Sequence, residues 1–198
     1  MSAAEPLSKR AAPLAYAPGM LLRPGVTLQT LSSEPFSAAE LYAGYVAPLA
    51  LVGPVCGVIG LMLFGGGIAR ISLKMTLAPT LEHAAVSYVL SLVAVYLLAL
   101  CVRLLAPLFG GEGRYGQAVK LIAFSGTALW LSGLFDLYPP LGFPMGLLGA
   151  LYSLYALYLG LTPIMRVGYH RAITCFACVL VAAGALGLLL RVAGDVVR

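Results

Sequence analysis

The chain has 198 residues, of which 61% are hydrophobic and only 10% charged, and its mean hydropathy is +0.98. A soluble domain carries about 45–50% apolar and about 25% charged residues, so this composition excludes a water-soluble globular protein. The net charge of +5 comes from 12 basic and 7 acidic residues that are scattered rather than clustered; that pattern argues against a nucleic-acid partner and for contact with anionic lipid.

Residues 1–19 are rich in Ala, Pro and Ser and read as a disordered tail. Lys9 and Arg10 precede Ala15-Tyr16-Ala17, which imitates a signal-peptidase site. No apolar h-region comes before it, and Pro13 and Pro18 interrupt the patch, so cleavage is not expected. Residues 20–36 then set Leu21, Leu28 and Leu31 on one helical face, with Pro24 suited to a first helical position and Pro35 stopping the run. This spacing predicts a short amphipathic helix lying in the membrane interface with Arg23 towards the lipid headgroups, the alternative being a structureless linker.

Five stretches without Asp, Glu, Lys or Arg follow: Leu41 to Ala69, His83 to Val102, Leu121 to Phe135, Leu137 to Met165 and Ala172 to Leu190. A helix needs about 20 apolar residues to cross the hydrocarbon layer. The expected fold is therefore all-α: one membrane domain over residues 37–193, a bundle of five transmembrane helices at about 38–65, 81–107, 115–137, 141–162 and 171–193, with a tail over 194–198. The shortest run qualifies because Lys120 and Asp136 stand at its ends, where a charged head can reach the interface.

Local signals set the boundaries. Ser37 and Glu40 have the spacing of a capping box, so the first helix should start at about Ala38. Pro48 and Pro54 should kink it, and Gly65-Gly66-Gly67 should end it. Thr80 is the expected N-cap of the second helix, with Glu82 in its first turn, and Pro107 with Gly110-Gly111 closes it. Pro139-Pro140 forces a tight turn that makes the third and fourth helices a hairpin, and Pro163 marks the end of the fourth.

With the N-terminus cytoplasmic, Lys9, Arg10, Arg23, Arg103, Arg114, Lys120, Arg166 and Arg171 lie inside, against Arg70, Lys74, Arg191 and Arg198 outside. That bias predicts N-terminus in and C-terminus out, in a bacterial inner membrane.

Candidate functional features are few. Gly53 and Gly57 form a GxxxG, and Gly142, Gly146 and Ala150 a second row of small residues, the pattern by which helices approach closely in lipid. Tyr152, Tyr155 and Tyr158 recur every three residues, either as packing or as a polar seam. Cys175 and Cys178 have C-x-x-C spacing near the depth of Cys101, but an apolar setting disfavours thiolates and no second pair completes a metal site, so no metal or cofactor is expected. His83 and His170 fall on opposite faces, and His83, Glu82 and Asp136 read as solvated helix ends. The middle thirds of the helices carry no Asp, Glu, Lys, Arg or His, which counts against proton-coupled transport.

The order of several short pieces resembles the Yip-domain (Ypt-interacting protein) family, in a bacterial form: Leu22-Arg23-Pro24 to Ser33-Glu34-Pro35, Tyr45-Val46-Ala47-Pro48-Leu49-Ala50, Leu105-Ala106-Pro107-Leu108-Phe109-Gly110-Gly111, Leu121-Ile122-Ala123-Phe124-Ser125-Gly126-Thr127, Pro140-Leu141-Gly142, and Leu151-Tyr152-Ser153-Leu154-Tyr155 into Tyr158-Leu159-Gly160-Leu161. The chain departs from that pattern at Thr162-Pro163, Met165-Arg166 and Val167-Gly168. The DLYGP-type element of eukaryotic members is also not matched, since Asp136-Leu137-Tyr138-Pro139 lies between helices, and GTPase binding is not carried over. The resemblance implies five membrane helices and a cytoplasmic N-terminus.

The expected function is that of a non-enzymatic integral membrane protein, a membrane-organising or accessory partner-binding component. Arg23, Arg114, Arg166 and Arg171 would contact lipid or partner. A small channel or permease for a neutral solute, lined by the three tyrosines, and a structural subunit of a larger membrane complex are the alternatives.

Overall fold

The computed structural model describes the backbone of residues 12–64 and 73–196 and the side chains of residues 12–64 and 80–189. Among the described residues, a 3-10 turn (Pro13–Tyr16) is followed by seven helical elements. Two short ones, α1 (Ala17–Leu22) and α2 (Pro24–Ser33), precede α3 (Ala38–Phe64). The rest are α4 (Leu73–Leu105, continued by a 3-10 turn Ala106–Phe109), α5 (Tyr115–Leu137), α6 (Pro139–Met165) and α7 (Tyr169–Val196). Five of them are long and apolar enough to cross a membrane, and the chain is an all-α, multi-pass membrane protein. The Gly65-Gly66-Gly67 break, Lys9, Arg10, Arg70 and Arg198 lie outside the described residues.

Local chemistry explains the boundaries. The capping box is present: the Glu40 amide donates to Ser37 Oγ at 3.1 Å, and the Ser37 amide to Glu40 Oε2 at 2.9 Å. In α3 the helix widens to a π-turn over Tyr42–Val46, just ahead of Pro48, and breaks again at Leu51, ahead of Pro54, as proline's missing N–H requires.

Three boundaries differ from expectation. Thr80 is no N-cap, because α4 already begins at Leu73 and runs through Pro79; Leu, Met and Ala in that segment favour helix enough to carry it past one proline. Likewise Pro163 does not end α6, which continues two residues and stops where Arg166 turns left-handed (φ 53°) and the Val167 amide bonds back to the Leu161 carbonyl. Residues 13–22 are helical rather than a loose tail, for reasons given by their packing below.

The central element is α5, which packs against α3, α4, α6 and α1, while α7 lies outside, against α4 and α6. The fully buried side chains share one half of the bundle: Tyr45, Val102, Leu121, Phe124, Leu161 and Ile164 come from the early turns of α3 and α5 and the late turns of α4 and α6. At this clasped end the helices are tight. At the opposite, open end, where α5 turns into α6, they splay around a groove.

Candidate functional site

Two features stand out: a helical hairpin locked into the clasped half and a groove in the open half. The hairpin is α1 and α2, which break at Arg23 (φ −145°, ψ 66°) because a residue before proline avoids helical geometry. The break takes Leu21 off the face of Leu28 and Leu31. Leu21 is exposed, whereas Met20, Leu28 and Leu31 sit in the bundle core. The predicted single helix is in the structure a pair of helices docked on α5 and α6.

Three anchors hold it. Lys120 does not reach for the interface; it is 5% exposed, and its ammonium donates to the carbonyls of Leu31 at 2.9 Å and Glu34 at 2.5 Å. Each of these carbonyls also accepts a backbone amide, Leu31 from Glu34 and Glu34 from Phe36, so the ammonium takes their second lone pairs, and a cation there also suits the helix dipole. The Tyr152 hydroxyl shares its one proton between the carbonyls of Met20 (3.0 Å) and Leu21 (2.7 Å) at the end of α1. Tyr16 packs edge-on against Phe36 and Phe124, ring centroids 6.0 and 6.2 Å apart, which is why residues 13–22 are ordered. Burial, reinforced by the Glu34 carboxylate, pushes the Tyr16 phenol above its usual value, so it stays neutral.

Tyr152 is the middle residue of α6, so the hairpin tip at Arg23 stands about 20 Å along a helix about 40 Å long. Arg23 is exposed there, far from the other three candidate arginines. Arg166 and Arg114 both pair with Glu112, at 2.6 and 3.5 Å, and the Glu112 amide donates to the Met165 carbonyl at 2.7 Å, clasping the α4–α5 connection to the α6–α7 turn. Both arginines remain about three-quarters exposed, so each pair contributes at most ~1 kcal/mol. Arg171 lies beside Gly110 at the same end.

The groove measures about 1300 Å³ and is lined by Pro54, Val58, Leu61 and Phe143 together with Glu82 and His83. A smaller cavity of about 260 Å³ continues it past Asp136 to Ser87, Ser91, Ser132 and Trp130. Asp136 is not a fully solvated helix end: it is half-buried where both spaces meet.

The glycines divide sharply. A Cβ added at Gly133 would stand 2.6 Å from the Cα of Gly53, so the α3–α5 crossing is glycine on glycine. Gly60 lies against the Asp136 and Leu137 carbonyls, whereas Gly57 and Gly146 face open space. Gly142 makes room for the Asp136 carboxylate, to which an added Cβ would come within 2.5 Å.

Of the three tyrosines, Tyr152 and Tyr155 pack edge-on, ring centroids 6.0 Å apart, with Tyr152 also engaged with α1 and Tyr155 53% exposed, while Tyr158 packs on Phe176 of α7. Cys175 is buried, and Cys56, Cys101 and Cys178 are half-buried free thiols. His170 stands at the clasped end beside Tyr169, opposite His83. Sequence reasoning misses the structural roles of Glu112, Lys120, Gly60 and Gly133. A lysine five residues inside an otherwise apolar helix is the one available signal for Lys120.

A protein-family model described as the Yip1 domain matches residues 19–191, from within α1 to within α7. No curated protein and no solved structure matches the chain.

Proposed function

Because the chain belongs to the Yip1 domain family, we propose that it is a non-enzymatic organiser of the bacterial inner membrane. It acts through the shape of its clasped half and through contacts with anionic lipid and membrane partners. The observation that carries this reading is the docked hairpin. Two extra helices occupy one half of the bundle only, and with a helix diameter of about 10 Å each they widen the molecule in a single leaflet. Arg114, Arg166 and Arg171, three of the basic residues counted on the N-terminal side, stand at the clasped end and support its being cytoplasmic. There Arg114, Arg166 and Arg171 meet headgroups, while Arg23 draws an anionic headgroup inward along the exposed Gln29 and Thr30 of α2. Lipids, and other membrane proteins on the exposed face of α7, are the partners.

Wedge shape has a measurable consequence: in tightly curved vesicles the wide end should favour the outer leaflet. Reconstitution into small and large liposomes, scored by protease access to an N-terminal tag, should give mostly outward-facing hairpins in small vesicles and a near-even mixture in large ones. The pair Lys120→Met and Tyr152→Phe, which removes both hydrogen-bond anchors, should abolish the bias. An equal mixture at both sizes, or a bias that survives the double substitution, would refute the reading. Replacing all four arginines by Gln should weaken retention of anionic lipid.

A further inference from the structure

We infer that the groove at the open end binds a lipid headgroup carrying a primary ammonium, with Asp136 as its counter-charge. Glycine backbone lies on three sides of the carboxylate. Its Oδ1 stands 2.5 Å from the Cβ position of Gly142, and its Oδ2 3.7 Å from those of Gly53 and Gly133. Among the described residues, no hydrogen bond or ion pair engages Asp136. The start of α6 offers little: the dipole supplies roughly half a positive charge, and Pro139 and Pro140 have no N–H to donate. The negative charge is therefore left for a ligand, and Glu82 on the same groove adds to it.

The ligand's form follows from the walls. An ammonium with N–H groups matches a carboxylate together with the hydroxyl oxygens of Ser87 and Ser132, whereas a quaternary ammonium calls for an aromatic cage. Pro54, Val58 and Leu61 supply an apolar wall, and Phe143, 82% exposed, carries it onto the outer surface of the bundle. Asp136 is the penultimate residue of its span, at headgroup level, so an amphiphile can enter sideways from the bilayer. A volume of about 1300 Å³ exceeds the usual range for small-molecule pockets, about 300–1,000 Å³, and admits a headgroup with the upper portion of its chains. The groove occupies the opposite half from the hairpin, so this assignment stands or falls apart from the wedge.

The test uses the full chain in nanodiscs of mixed phosphatidylethanolamine and phosphatidylcholine, with retained lipids counted by native mass spectrometry. Phosphatidylethanolamine should be retained about tenfold over phosphatidylcholine, equivalent to about 1.4 kcal/mol. Asp136→Asn should erase that preference and Asp136→Glu should keep most of it. Trp130, the single tryptophan and a member of the cavity wall, reports by its emission that the groove is intact. Should Asp136→Asn not fold, Gly142→Ala displaces the carboxylate instead, and loss of preference with unchanged Trp130 emission supports the site. Equal retention of the two lipids by the native chain, or a preference untouched by these variants, overturns it. Tight binding of free ethanolamine to protein held in phosphatidylcholine alone would overturn the lipid as the source.

Discussion

Lys120 shows how a membrane interior prices a charge. Burying an ammonium costs several kcal/mol unless its protons are used, and here the Leu31 and Glu34 carbonyls use them. The residue that sequence reasoning assigns to a water interface is instead turned inward, where the carbonyls at and just past the end of α2 accept its protons. Glycine makes a similar point. In α3, Gly53 and Gly60 are seven residues apart, within about 20° of the same face, whereas Gly57 overshoots Gly53 by about 40°. Of the GxxxG pair, Gly53 meets Gly133 and Gly57 meets open space. Gly133→Ala should destabilise the protein by about 1–3 kcal/mol, since an added methyl group must push the two backbones apart, while Gly57→Ala should lie within about 0.5 kcal/mol of the native chain. Thermal unfolding in mild detergent measures both.

At the scale of elements, the hairpin illustrates what a periodic pattern can and cannot say. Leu28 and Leu31 identify a buried face, and Pro24 a helix start, but nothing local says whether that face meets lipid or protein. The answer lies in partners distant along the chain, Lys120, Phe124 and Tyr152. The five spans, by contrast, are legible because length and apolarity alone fix them. The helix boundaries near Thr80 and Pro163 are illegible because a single residue signal there competes with strong helix formers on either side. Tyr152→Phe removes one proton shared between two carbonyls and should loosen the hairpin by about 1 kcal/mol, seen as faster proteolysis between residues 13 and 33. Tyr155→Phe, altering an exposed hydroxyl, should leave that rate unchanged.

The whole molecule is built from two unequal halves. A close-packed end contains the buried Tyr45, whose hydroxyl donates to Thr127 Oγ1 at 2.6 Å while Thr127 in turn donates to the Phe124 carbonyl. The other end is held chiefly by the Gly53–Gly133 crossing and the α5–α6 turn. Hydrogen exchange should therefore be slowest for amides around residues 118–124, buried on every side, and faster by orders of magnitude around residues 139–146. Equal protection in the two segments would count against the asymmetry. Composition announces a bundle; it does not reveal which end is filled, since in lipid an exposed leucine and a buried one look alike. The bond from Tyr152 to Met20 spans 132 residues of sequence, and that distance governs biosynthesis. At about 5–20 residues per second, the first helices leave the ribosome roughly 7–26 seconds before their binding partner exists. Through that interval Met20, Leu28 and Leu31 must be sheltered by the bilayer surface or a chaperone, and the nascent chain acquires its final shape only once the fourth crossing has been made.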